Sequence, residues 1–238
     1  MDEVFRLWVY LSATPLVWLT ATLAAYAGAD RFANALGRPP LANPVLVAVV
    51  LVVLLLRATG TEYRVYFEGA QFVHFMLGPA TVALAVPLVR EARRVRRLLL
   101  PIGAALLAGS LTSVVTAVGV AGLLGADPAT LASLAPKSVT TPIAMAVAQS
   151  IGGIPALAAV CVILTGIFGA MVMSPVMASI GVRVPAAQGF AVGVAAHGIG
   201  TARAFQVSEL AGTFAGLGLA LNGLATAIIV PLLAGLVR

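Results

Sequence analysis

Lys137, Ser138, Thr140 and Thr141 lie between two prolines, Pro136 and Pro142, in a chain that is otherwise close to hydrocarbon in character. One ammonium and three hydroxyls in so short a stretch can attract and orient an anion, and a carboxylate suits such donors. Pro142 sits where a first-turn proline fits, so Ser138, Thr140 and Thr141 are expected to cap a helix that continues through Ala148. Free N–H groups at that helix start would add to the pull on an anion. Hydroxyls that only satisfy backbone freed by the prolines are the plainer reading, but Lys137 and the paired threonines exceed what capping requires.

A second constellation runs from His197 through Gly198, Gly200 and Thr201 to Arg203. The glycines allow a helix to unwind or backbones to approach closely. His197 can carry a proton near neutral pH and Arg203 can clamp a carboxylate with two parallel hydrogen bonds. Ionisable groups in apolar segments are costly and usually face a bundle interior or cavity. The competing roles are a packed histidine and an interfacial arginine. A third polar interruption, Gly78-Pro79-Ala80-Thr81 followed by Pro87, offers Thr81 and open backbone, which suits the shaping of a cavity. Asn222, within the apolar run 217–229, should find a partner across helices, and it joins Thr81 in the candidate set. No metal-ligand spacing and no nucleophile–base pair is present, so neither a metal, a cofactor nor an enzymatic reaction is expected. The single cysteine, Cys161, rules out an intrachain disulfide and reads as a small buried hydrophobe.

The elements that must position these residues follow from composition. Of 238 residues, 61% are hydrophobic and 9% charged, with mean hydropathy +1.08; soluble chains carry about 25% charged residues. Such a chain cannot hide its apolar surface in a soluble core, so an all-α polytopic membrane protein is expected, with the whole of 1–238 forming one transmembrane domain. The net charge of +6 comes from arginines at segment ends and not from a basic groove with interleaved aromatics, which excludes nucleic acid as a partner. Apolar windows fall near 4–27, 43–57, 70–90, 98–125, 137–150, 154–181, 185–205 and 210–237, giving about seven or eight membrane segments. Segments 70–90, 137–150 and 185–205 are short or interrupted and are the candidates for broken or re-entrant helices.

The cluster Arg90, Arg93, Arg94, Arg96 and Arg97 places its loop in the cytoplasm. Arg183 shares that side if segment 137–150 dips in and returns, and falls outside if the segment crosses; the sequence leaves both open. An offset of 57 pairs Pro79 with Pro136, Leu107 with Leu164 and Gly109 with Gly166, which is open to reading as an inverted repeat of the kind transporters use. Gly212, Gly216 and Gly218, with Gly166 and Ala170, have the look of small-residue seams between helices.

Three ordered stretches, Gly78–Leu88, Pro136–Ala144 and His197–Arg203, resemble the LrgB/CidB family, and the resemblance runs over almost the whole chain. One departure is Ala146, where many relatives carry an acidic residue after the Ile-Ala-Met run, so ion coupling of the kind that residue would support is in question here. The resemblance implies a multi-pass protein of the bacterial inner membrane, working with a smaller LrgA/CidA-type membrane protein and open to homo-oligomer formation. The family is described as antiholin-like, influencing murein hydrolase activity and lysis. It is also similar to the C-terminal part of the plastid glycolate/glycerate translocator, and its bacterial members are linked to pyruvate movement. The combined expectation is a secondary transporter of small monocarboxylates, with Lys137, Ser138, Thr140, Thr141, His197, Gly198, Gly200, Thr201, Arg203, Thr81 and Asn222 around the substrate and Pro79, Pro136 and Pro142 breaking the helices. The alternative expectation is an antiholin-like regulator acting through helix contacts.

Overall fold

The computed structural model describes residues 15–39, 42–76, 79, 82–83 and 85–234. Gly78 and Thr81, and with them the core of the first polar interruption, lie outside the described residues; so does the first half of the expected segment 4–27. Every regular element among the described residues is a helix, as the apolar windows require. The expected single domain over 1–238 sorts into two compact units, 1–83 and 84–238.

In the first unit, α1 (Pro15–Ala35), α2 (Pro44–Thr59) and α3 (Tyr63–Phe75) are held by an aromatic seam. Trp18 is buried and meets Tyr66 edge-on at 6.0 Å between centroids, and Gly69 lies so close to the Pro15 carbonyl that no side chain fits there. The start of α2 is set by Asn43, whose side chain accepts from Val45 and Leu46 N–H, and its end by Gly60 in the left-handed region. Tyr66 therefore packs α3 against α1 within this unit.

The second unit holds α4 (Ala85–Arg90), α5 (Ala92–Arg97), α6 (Leu99–Leu123), α7 (Pro128–Leu134), α8 (Thr141–Ser150), α9 (Pro155–Ser179), α10 (Pro185–Val207) and α11 (Glu209–Leu233). Helices α6, α9 and α11 are each 25 residues long and apolar enough to cross a membrane, and much of their apolar surface, such as Leu100, Leu164, Phe168 and Leu232, is exposed as lipid contact demands. Ile102 of α6 clusters with Phe214 and Leu217 of α11, and Val114 with Val230, so these two helices run in the same direction. Gly166 and then Gly169 of α9 face His197 and then Ala196, so α9 runs against the first arm of α10.

Two helical hairpins fill the space between these long helices. In the first, α7 and α8 are about 10 and 15 Å long at 1.5 Å per residue, short of the roughly 30 Å hydrocarbon thickness. The Ser133 hydroxyl at the end of α7 accepts from Ile154 N–H beyond α8 at 2.7 Å, so the intervening chain comes back to the level it left. Asp127 caps α7. The expected capping of α8 is corrected: Thr140 occupies the cap position, but its hydroxyl makes no capping hydrogen bond.

The second hairpin is α10 itself. Ala196 (φ −132°, ψ 18°) and His197 (φ 40°, ψ −133°) are non-helical and divide it into arms Pro185–Ala195 and Gly198–Val207. A Cβ on Gly200 would lie 3.0 Å from the Val192 carbonyl oxygen; residues eight apart in an unbroken helix are about 12 Å apart. The second arm thus folds back on the first. After Ser208, α11 runs alongside the first arm, with Gly189 and Gly193 seated on the Ala211 and Ala215 carbonyls at distances that exclude any side chain. This small-xxx-small seam replaces hydrophobic bulk with close backbone approach, which suits packing in lipid.

Candidate functional site

Asn222, at the middle of α11, joins the tips of the two hairpins. Its fully buried amide donates to the Val194 carbonyl at 2.9 Å and to Ser138, at 3.2 Å to the hydroxyl and 3.3 Å to the carbonyl. The Val194 carbonyl is available because the helix breaks two residues later. The Asn222 oxygen accepts from Ser110 of α6 at 2.6 Å and from Thr226 at 3.4 Å. Both donors and the acceptor are occupied, as burial of an amide requires. Asn222 and Ser138 are thus the clamp behind the site.

His197 is 4% exposed. Its Nε2 lies 2.9 Å from the Val162 carbonyl of α9, and since a carbonyl only accepts, Nε2 carries the proton. Gly166 makes room for the ring: a Cβ there would meet His197 Cε1 at 2.6 Å. Thr201 donates to the His197 carbonyl at 2.8 Å, one turn back at the start of the second arm. Gly200 closes the second arm onto the first, whereas a Cβ at Gly198 would meet nothing within 4 Å. Arg203 donates to Gln206 at 3.1 Å, three residues on in the exposed last turns of the second arm. Thr140 and Thr141 are half-buried at the start of α8. Pro79 belongs to the first unit and Pro136 to the second.

Lys137 lines a cavity. This space, about 1340 Å³, lies between α6, α9 and the first arm of α10. With Lys137 the lining includes Gly109, Thr112, Ser113 and Thr165; the remaining walls are apolar and extend to Leu98, Pro101, Val184 and Ala187. The Lys137 ammonium donates to the Ser113 hydroxyl at 3.1 Å, and among the described residues no carboxylate pairs with it.

Sequence reasoning missed Ser110, Ser113, Thr165 and the Val194 carbonyl. Ser110 and Ser113 are three residues apart on α6 and thus share a face, a signal available in an apolar run. The free carbonyl had none, because it depends on where α10 breaks.

These features define a helical membrane protein with, among the described residues, three helices able to cross a bilayer and two helical hairpins between them. The LrgB-like family model matches residues 22–236, and the chain belongs to that family. It is 31% identical over 220 residues to the antiholin-like protein LrgB of Bacillus mycoides (strain KBAB4), covering 92% of this chain and 95% of that one. It is 30% identical, with the same coverage, to the antiholin-like LrgB proteins of Bacillus cereus (strain B4264) and Bacillus anthracis (strain CDC 684 / NRRL 3495). No solved structure matches the chain.

Proposed function

We propose that the chain serves the antiholin-like role named for its relatives, and that its molecular activity is the movement of a small monocarboxylate across the bacterial inner membrane. The observation that carries the transport activity is Lys137, a cation without a carboxylate partner among the described residues, lining a cavity between α6, α9 and the first arm of the broken α10. The substrate carboxylate supplies the missing charge, and the hydroxyls of Ser113 and Thr165 complete its hydrogen bonding.

The architecture supports alternating access. At the offset of 57, α6 with the first hairpin corresponds to α9 with the second: Pro128 pairs with Pro185, Thr140 with His197 and Ser150 with Val207, the same boundaries the helices adopt. The long helices of the two sets run in opposite directions, and the hairpins enter from opposite ends. This is an inverted pair with Asn222 between the tips, and rocking one set against the other exposes Lys137 to either side in turn. The offset is that of the sequence; the partners are α6–α8 and α9–α10.

Uptake of labelled pyruvate or glycolate into proteoliposomes, with and without a proton gradient and a small LrgA/CidA-type partner, tests the activity. Uptake abolished by Lys137→Gln is expected; no uptake under any of these conditions would reject it. The names of the relatives support the antiholin-like role itself; a second reading has the chain fill that role by helix contacts alone. That reading requires control of murein hydrolase activity to survive Lys137→Gln and to be lost when bulk is added at Gly212, where a Cβ would already strike the Phe205 ring.

A further inference from the structure

The cavity at Lys137 is far larger than a two- or three-carbon acid, and its chemistry is uneven. Of its lining residues, Lys137, Ser113, Thr112 and Thr165 carry polar side chains, while Leu98, Ile102, Phe168, Val172, Phe190 and their neighbours are apolar. Sites for drug-sized ligands measure about 300–1,000 Å³; this one, at about 1340 Å³, is an open cleft whose outer wall includes the exposed Leu164 and Phe168, and a three-carbon acid held at Lys137 would leave most of its apolar wall uncontacted. An apolar substituent on the acid lies against these walls without needing a polar partner, and burying it there gains affinity.

We infer that the preferred ligand is a monocarboxylic acid with a branched or extended apolar tail, its carboxylate on Lys137 and its tail along the wall formed by α6, α9 and the first arm of α10. This rests on the monocarboxylate reading of the same site and names the class of acid. A single cation fits a single carboxylate: among the described residues the lining holds no second Lys or Arg for a dicarboxylate. Polyhydroxylated acids are disfavoured, because beyond the hydroxyls around Lys137 the walls offer no side-chain hydrogen-bonding group, and a buried hydroxyl without a partner is costly.

Equilibrium dialysis of the full chain in lipid nanodiscs against labelled 4-methyl-2-oxopentanoate, pyruvate and succinate tests the inference. The branched acid, with three more carbons than pyruvate, is expected to bind about tenfold tighter or more, and succinate more weakly than either. Lys137→Gln should abolish binding of both monocarboxylates. Ala191→Phe, which fills the wall and leaves Lys137 in place, should weaken the branched acid severalfold while sparing pyruvate. Pyruvate binding as tightly as the branched acid, or unchanged selectivity in a folded Ala191→Phe protein, overturns the inference and leaves the transport reading standing. Absence of binding by any monocarboxylate overturns both.

Discussion

The imidazole of His197 occupies the space that a side chain on Gly166 would need: a Cβ there would stand 2.6 Å from Cε1 and 2.7 Å from Nε2. The histidine at the tip of the second hairpin and a glycine at the middle of α9 are therefore one packing unit, locked by the hydrogen bond from Nε2 to Val162. Gly166→Ala should push the ring off that carbonyl and destabilise the protein by about 1–3 kcal/mol, the usual cost of overpacking. Gly198→Ala, whose Cβ meets nothing within 4 Å, should stay within about 0.5 kcal/mol. Thermal unfolding of both variants in one detergent checks the contrast.

The backbone of His197 makes a separate demand. Its φ of 40° with ψ of −133° lies where glycine is at ease and other residues are strained. His197→Ala keeps that strain and loses the hydrogen bond, whereas His197→Gly loses the bond and relieves the strain. The glycine variant should be more stable than the alanine variant by about 1 kcal/mol, measured by the same melts. The reverse order would show that the tip does not hold this conformation.

Much of this fold was legible because lipid imposes simple rules. The segments 98–125, 154–181 and 210–237 became α6, α9 and α11 within a few residues, since an apolar run of that length has few other fates. The interruption at His197-Gly198 marked the break in α10, because glycine beside an ionisable residue is costly in an unbroken membrane helix. The site was less legible. Lys137 could be singled out by its charge, but its partner Ser113 lies 24 positions away on α6, and only packing brings them together. Asn222 was expected to find a partner across helices and does so; Ser138 was chosen as a ligand group by polarity, whereas its geometry makes it the other half of a clamp between elements 84 positions apart. Helix α7 fell in no apolar window because Asp127-Pro128 and Thr130 dilute its hydropathy, although the same residues begin the helix.

That clamp should be sensitive to loss of either end. Asn222→Ala leaves the Val194 carbonyl and the Ser110 hydroxyl without their partner inside the bundle, and each unpaired group costs about 1–3 kcal/mol. Ser138→Ala removes one acceptor and should cost less. In a double-mutant cycle the two changes should fall short of additivity by about 0.5–3 kcal/mol, as expected for residues in one hydrogen-bond network. Additive losses would mean that the hairpin tip and α11 are not coupled through this pair.

Asp127 offers a pH-dependent handle outside the apolar segments. Hydrogen bonding from the Thr130 hydroxyl at 2.6 Å, followed by that from Thr130 N–H, holds its carboxyl below the ordinary carboxylate range. A depressed folded value means that the cap contributes fully above the unfolded pKa and that its contribution fades as pH falls through the folded one. Melting temperatures of the wild type should therefore drop on acidification from about pH 6 to about pH 3. Asp127→Asn, which keeps a capping side chain but cannot titrate, should show a shallower drop. Parallel pH profiles would exclude this carboxylate as a contributor.

The bond between Ser133 and Ile154 decides how often the chain crosses the bilayer. If the first hairpin returns to the face it left, α9 is the one crossing between Asp127 and Arg183, and these two residues lie on opposite faces. If the second hairpin also returns, Val207 lies on the face of Arg183. Cys161 is the single cysteine, so Cys161→Ser gives a background in which Asp127→Cys, Arg183→Cys and Val207→Cys can be labelled one at a time. With an impermeant maleimide on oriented membranes, Asp127→Cys should react from one face, and Arg183→Cys and Val207→Cys from the other. Labelling of Asp127→Cys and Arg183→Cys from the same face would mean that the first hairpin crosses. That would remove the inverted relationship between the two halves and, with it, the alternating exposure of Lys137.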